Sequence, residues 1–174
     1  MIITGNYPSL RLRRNRKYAW TRKLVEENNL SPNDLVLPIF LTEGNNKIER
    51  IKMMPEVYRY SINNLSKIVD KALKLKIPMI SLFPNINPKL KDSTGSEALN
   101  ENNLTCKAIK YIKKRYKNEI GIMCDVALDP YTSHGHDGIL KGNKILNDET
   151  VEVLVKQSLL QAEMGCDVIA PSDM

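Results

Sequence analysis

The sequence has few cysteines, histidines and aromatic residues, and it lacks any long apolar run. Its three cysteines, Cys106, Cys124 and Cys166, are odd in number and widely separated. That spacing excludes a disulfide framework or a close-set thiolate metal motif, and it fits a reducing compartment. The two histidines, His134 and His136, are not spaced as a metal-binding pair on a helix. No run of about 18 apolar residues is present, which excludes a helical membrane span. The first residues are too polar for a secretory signal, so the expected setting is cytoplasmic, with no membrane contact. No glycine-rich phosphate loop follows any predicted strand, which counts against a nucleotide-binding sheet.

The 174 residues are 42% hydrophobic and carry a formal charge of +6. That is enough apolar material for one good core. Part of the charge sits at one end: Arg11, Arg13, Arg14, Arg16, Lys17, Arg22 and Lys23 crowd a short segment. Such a run can meet nucleic acid, but no nucleic-acid motif accompanies it. We read it as a solvated or subunit-contacting arm, with no nucleic-acid partner.

Behind the arm, apolar runs and amphipathic segments alternate. Residues 35–41, 79–83, 121–128 and 167–174 read as strands, and 61–76, 102–116 and 147–164 as the helices between them. Ser61, Asn102 or Asn103, and Asn147 are the expected helix caps. Residues 45–59 read as a polar excursion. Leu65, Ile68, Val69, Ala72 and Leu73 share one helical face, as do Leu104, Ala108, Ile109 and Ile112. The strands are almost continuously apolar, as strands covered on both faces should be. The order is that of a parallel α/β fold. Polar residues gather at the C-terminal ends of its strands, where such folds place their sites. A complete (β/α)8 barrel takes roughly 250 residues, so four strands after an arm amount to half of one. The expected organisation is an arm over 1–30 and a half-barrel over 31–174, the chain reading as truncated after its fourth strand.

The third strand leads into the most informative stretch, Asp125-Val-Ala-Leu-Asp-Pro-Tyr-Thr-Ser-His-Gly-His-Asp-Gly138. Pro130 forbids continuation of a central strand. Three carboxylates placed where a strand becomes a loop repel one another unless a cation or a cationic substrate is near. His134 and His136, beside those acids, most simply form hydrogen bonds within the loop. The three cysteines read as small buried hydrophobes.

Arg11-Leu-Arg-Arg14, residues 35–44, Ser81-Leu-Phe-Pro84, Lys91-Asp92 with Gly95-Ser-Glu-Ala98, the Asp125 loop and Ala170-Pro-Ser-Asp-Met174 occur in a telling order. Together they resemble the porphobilinogen synthase (delta-aminolevulinic acid dehydratase) family, over essentially the whole chain. The resemblance implies the N-terminal half of a (β/α)8 TIM barrel, with an arm that wraps a neighbouring subunit in a homo-octamer. It implies a lyase that condenses two 5-aminolevulinate molecules to porphobilinogen in tetrapyrrole and haem synthesis. The two Schiff-base lysines and the basic residues for substrate carboxylates would fall beyond Met174. The alternative is therefore a catalytically inactive remnant or fragment of that enzyme. Lys141 and Lys144 are no substitutes, because a polar loop leaves their amines solvated.

By the same resemblance, Asp125 contacts substrate or the reacting amines, and Ser172 and Asp173 are the active-site serine and its acidic neighbour. The plainer alternatives are a carboxylate satisfied by loop amides and an ordinary strand end. Zinc-dependent relatives carry three cysteines where this sequence has Ala127, Asp129 and Asp137. No thiolate zinc site is expected. Asp129 and Asp137 would offer oxygen ligands to Mg2+ or a monovalent cation, or position a substrate ammonium.

Overall fold

A computed structural model describes residues 5–173. It divides into two compact units, residues 1–31 and 32–174. The first contains a 3-10 turn, Arg14–Arg16, and a short helix α1, Ala19–Leu24. The Thr21 hydroxyl donates to the Tyr18 carbonyl at 2.8 Å, and the Arg22 guanidinium donates to the Arg16 carbonyl at 2.9 Å. The apolar side chains Trp20 and Leu24 of this helix and Val25 just after it are exposed, Trp20 by 66%.

The second unit is built on strands β1 (Val36–Thr42), β2 (Ile48–Arg50), β3 (Tyr58–Tyr60), β4 (Met79–Asn85), β5 (Gly121–Val126) and β8 (Val168–Pro171). Between β5 and β8 a two-stranded ribbon forms from β6 (Leu140–Lys141) and β7 (Lys144–Ile145). Helices α2 (Leu65–Lys74), α3 (Leu104–Tyr116) and α4 (Asn147–Glu163) connect the parallel strands. The six strands lie in the order β2-β3-β1-β4-β5-β8. The run β1-β4-β5-β8 is parallel and follows the chain, without the reversal that marks a doubly wound sheet. It is the progression of half a barrel.

One face of these strands carries the core. Ile39, Leu41, Ile80, Leu82, Ile122 and Cys124 pack with Leu65, Val69 and Ala72 of α2 and Ala108, Ile109 and Ile112 of α3. The opposite face is only partly covered: Phe40, Phe83, Met123 and Asp125 are half-buried. The expectation of strands covered on both faces is thus corrected, and the less covered face is the one that carries Asp125.

Three local readings also change. The excursion 45–59 folds back: β2 pairs antiparallel with β3, and β3 lies parallel beside β1. Ser61 does not cap α2. Its hydroxyl oxygen accepts from the Lys47 amide at 2.9 Å and the Asn64 side chain at 3.2 Å, so it fastens this excursion instead. Asn147 lies inside the first turn of α4 and makes no cap bond to it. Asn103 does cap α3, accepting from the Cys106 amide at 2.8 Å. Gly165, at φ +103°, ends α4 in the left-handed region that costs glycine little.

Candidate functional site at the ends of β5 and β8

Parallel pairing sets the C-terminal ends of β5 and β8 side by side, with Asp125 opposite Ala170 and Val126 opposite Pro171. Two residues further, the Ser172 hydroxyl donates to Asp125 Oδ1 at 2.5 Å. Residues 47 positions apart in the chain, both singled out from sequence, thus meet across the strand ends. Asp125 also lines a cleft of about 280 Å³ together with Asp129. Phe40 and Phe83 form one wall, their rings 5.7 Å apart, and Arg59 and Lys91 bring positive charge. A larger cleft of about 550 Å³ borders Thr42, Asn45, Glu97 and Lys107. It holds none of the predicted residues, and its chemistry is that of surface amides and mixed charges.

Asp173 is turned inward. Its Oδ2 accepts from the Leu128 amide at 2.9 Å and the Gly138 amide at 3.3 Å, so one carboxylate closes both ends of the acidic loop. Only 7% of the residue is exposed, and Oδ1 has no partner among the described residues. The plain alternative weighed for Asp125, a carboxylate held by loop amides, is what Asp173 does. Gly138 must be glycine here: at φ +81°, an added Cβ would stand 2.8 Å from the Ile145 side chain.

The electrostatics are those of crowded acids. Burial pushes the Asp129 carboxyl above its ordinary range, and the charges of Asp137, Asp125 and Asp173 add to the shift against a weaker pull from Lys91. Burial also raises Asp173, with Asp137 and Asp125 adding and the two loop amides opposing. Asp137 itself is exposed. Among the described residues no three His, Cys, Asp or Glu side chains converge as a metal-binding group. Met174 lies outside the described residues.

The histidines organise the loop. The His136 amide donates to His134 Nδ1 at 3.1 Å, which leaves Nε2 protonated to donate to the Ser93 carbonyl at 3.3 Å. Tyr131, fully buried, shares a hydrogen bond of 3.1 Å with Thr105. The neighbouring 91–98 segment is fastened to this one. The Ser133 amide donates to the Asp92 carbonyl at 2.8 Å. The Asp92 carboxylate gathers bonds from Thr94 and Ser96, with the Ser96 hydroxyl the main influence holding its carboxyl far below the usual range. Cys106 and Cys124 are buried and Cys166 is half-buried; all three are free thiols. Lys141 and Lys144 face each other on the β6–β7 ribbon and are exposed.

The family model of delta-aminolevulinic acid dehydratase matches residues 9–174. The chain belongs to the delta-aminolevulinic acid dehydratase family. The dehydratase of Bradyrhizobium diazoefficiens is 57% identical over 166 residues, covering 95% of this chain and 47% of the relative. That of Chlamydia pneumoniae is 44% identical over 95% of this chain and 50% of its own length. Among solved structures, the Toxoplasma gondii dehydratase in complex with its reaction product porphobilinogen superposes with a TM-score of 0.86 at 38% identity. The match covers 95% of this chain and 47% of that one. The chain therefore spans about half the length of these dehydratases, and it corresponds to their N-terminal barrel half.

Sequence reasoning missed Gln157 and Gln161. Both are buried on α4, where Gln161 donates to the Asp125 carbonyl and Gln157 to the Ala127 carbonyl. A glutamine on a helix ordinarily marks the solvent face, so periodicity alone gave no cue. A signal did exist in Pro84, which cannot donate a sheet bond beside Asp125.

Proposed function

We propose that this chain provides the N-terminal half of a porphobilinogen synthase, which condenses two 5-aminolevulinate molecules into porphobilinogen with loss of two waters. The observation that carries the reading is the Ser172–Asp125 hydrogen bond across the ends of β5 and β8. Condensation needs a group that accepts a proton from a substrate ammonium so that the free amine can attack a carbonyl. Asp125 Oδ1, oriented by the Ser172 hydroxyl and open to the cleft, is that acceptor. Phe40 and Phe83 give the carbon chain an apolar wall. Asp173 contributes by holding Leu128 and Gly138, and through them the loop that carries Asp129 and Asp137. Schiff-base formation falls to lysines outside these 174 residues.

The donor set fits a hard cation: Asp129 and Asp137 would offer oxygen ligands to Mg2+ or a monovalent ion, with water supplying most of the shell. Such an ion would balance the crowded carboxylates, as would a substrate ammonium in its place. Ala127, Asp129 and Asp137 offer no thiolate to zinc at these positions. The exposed apolar side chains Leu12, Trp20, Leu24 and Leu30 among the arm's cations support an arm that packs on a neighbouring subunit. Among the described residues no helix is long and apolar enough to cross a membrane.

The test is complementation with the C-terminal half of the Bradyrhizobium relative, followed by colorimetric assay for porphobilinogen from 5-aminolevulinate. The chain alone should form none. The reconstituted pair should form it, and Asp125→Asn should lower kcat at least a hundredfold, the lower range for losing a positioned proton acceptor. A reconstituted pair that makes no pyrrole, or one indifferent to Asp125→Asn, would overturn the proposal.

A further inference from the structure

Helix α4 buries two amides beside its apolar core residues Leu154 and Leu160. Val151, Val155 and Leu159 are exposed alongside Glu152 and Lys156, while Gln157 and Gln161 are 1% and 2% exposed. Burying two amides against a sheet is costly unless they meet specific partners. Gln161 Nε2 donates to the Asp125 carbonyl at 3.0 Å, and Gln157 Nε2 to the Ala127 carbonyl at 3.2 Å.

The sheet explains why these carbonyls need a partner from the helix. The Gly121 amide donates to the Pro78 carbonyl, with Met79 opposite Gly121 and Leu82 opposite Cys124. In that register alternate residues of each strand face the other: 78, 80, 82 and 84 on β4, and 121, 123 and 125 on β5. The donor due to the Asp125 carbonyl is the amide of residue 84, which is proline and has none. The β4–β5 ladder stops at Leu82 and Cys124.

We propose that Gln161, seconded by Gln157, is a positioning residue of the acidic site. It replaces the sheet bond that Pro84 withholds and so fixes the backbone from which the Asp125 carboxylate projects. The release at Pro84 lets β4 part from β5 where the cleft opens, and α4 keeps β5 from fraying there. This assignment rests on reading the Asp125 end of β5 as the reactive end. Its test is spectroscopic and needs no pyrrole formation, so the two can fail separately.

In the isotope-labelled 174-residue chain, a scalar coupling across the hydrogen bond is expected between the Gln161 side-chain nitrogen and the Asp125 carbonyl carbon. Gln161→Met keeps the volume and removes the donor. The Asp125 carbonyl resonance should move upfield, and the Leu128 amide should exchange about tenfold faster, the scale of one lost hydrogen bond. Adding Pro84→Ala to Gln161→Met restores a strand N–H and should return both readings towards those of the unaltered chain. A packing role for Gln161 would show no such rescue. Gln157→Met should shift the Ala127 carbonyl and gain nothing from Pro84→Ala. Absence of the coupling in the unaltered chain, which needs no variant to fold, would overturn the proposal. So would a double variant that keeps the defects of Gln161→Met.

Discussion

Strand β8 is bracketed by two aspartates, and the molecule treats them in opposite ways. Asp167, just before the strand, is saturated. Lys113 Nζ reaches both its oxygens at 2.7 Å, and the Ile122 amide donates to Oδ2 at 2.8 Å. Partial burial pushes its carboxyl up, but Lys113 and the amide outweigh that and hold it below the ordinary range. Asp173, just after the strand, is more deeply buried, has no ion-pair partner among the described residues, and sits among other carboxylates that raise it further. The first arrangement ties α3 to β5 and β8 and lowers the energy of the fold. The second concentrates negative charge at one end of the sheet, where a cationic group from outside would be welcome. Parallel α/β units divide their labour in this way, stability at the N-terminal ends of strands and chemistry at the C-terminal ends.

The sharpest way to break this comparison is at Asp173. Asp173→Ala leaves two loop amides without their acceptor and should cost about 2–4 kcal/mol in urea unfolding, the scale for stranding buried donors. Asp173→Asn retains an acceptor oxygen and sheds the repulsion, so it should cost less than half as much. Equal losses in the two variants would mean that the carboxylate's charge, rather than its two bonds, is what the fold uses.

The two ends were unequally legible in the sequence. Apolar runs located the four central parallel strands β1, β4, β5 and β8, because side chains on both of their faces are largely apolar even where only one face is fully covered. Asn103 was readable as a cap because its oxygen acts on its own helix, three residues away. Ser61 and Asn147 carry the same local signal, yet tertiary context redirected Ser61 to Lys47 and left Asn147 inside its helix. β2 and β3 escaped notice because three-residue strands are set by tertiary pairing, β3 beside β1 and β2 beside β3, and not by their own pattern. Asp125 was singled out as one of three carboxylates where a strand becomes a loop, and its grouping with Ser172 and Asp173 came from motif resemblance, since no spacing rule joins residues so far apart. That Asp173 faces inward while Asp125 faces the cleft follows from strand alternation and loop closure, which only the folded chain displays.

At the other end of β8, Lys113→Met tests the structural member of the pair. The side chains of Lys113 and Asp167 are 21% and 41% exposed, so solvent discounts the pair and the loss should be about 0.5 kcal/mol. It should shrink further in 1 M salt. The pH sign is set by the lowered carboxyl. Its contribution is complete above the ordinary carboxyl range and is lost as pH falls through the lowered value. The difference between parent and variant should therefore be full at pH 7 and close steadily in acid. A difference that instead grew in acid would remove Asp167 from the structural side of the comparison.

The smallest effect is expected at Asp129, and its sign is the opposite one. Burial and the charges of Asp137, Asp125 and Asp173 raise its carboxyl. Between the ordinary and the raised value, the folded chain holds a proton that the unfolded chain has already released. Stability then falls as pH rises through that interval, and the penalty is complete above it. Asp129→Asn removes the penalty. It should raise Tm at pH 7 by about 1–2 °C, the shift for a few tenths of a kcal/mol in a chain of this size, and by nothing below the ordinary carboxyl range. Millimolar Mg2+ should stabilise the parent more than the variant and so narrow the gap, because the ion compensates the charge that the substitution deletes. A variant less stable than its parent at pH 7 would place Asp129 with Asp167, as a carboxylate whose charge the fold already satisfies.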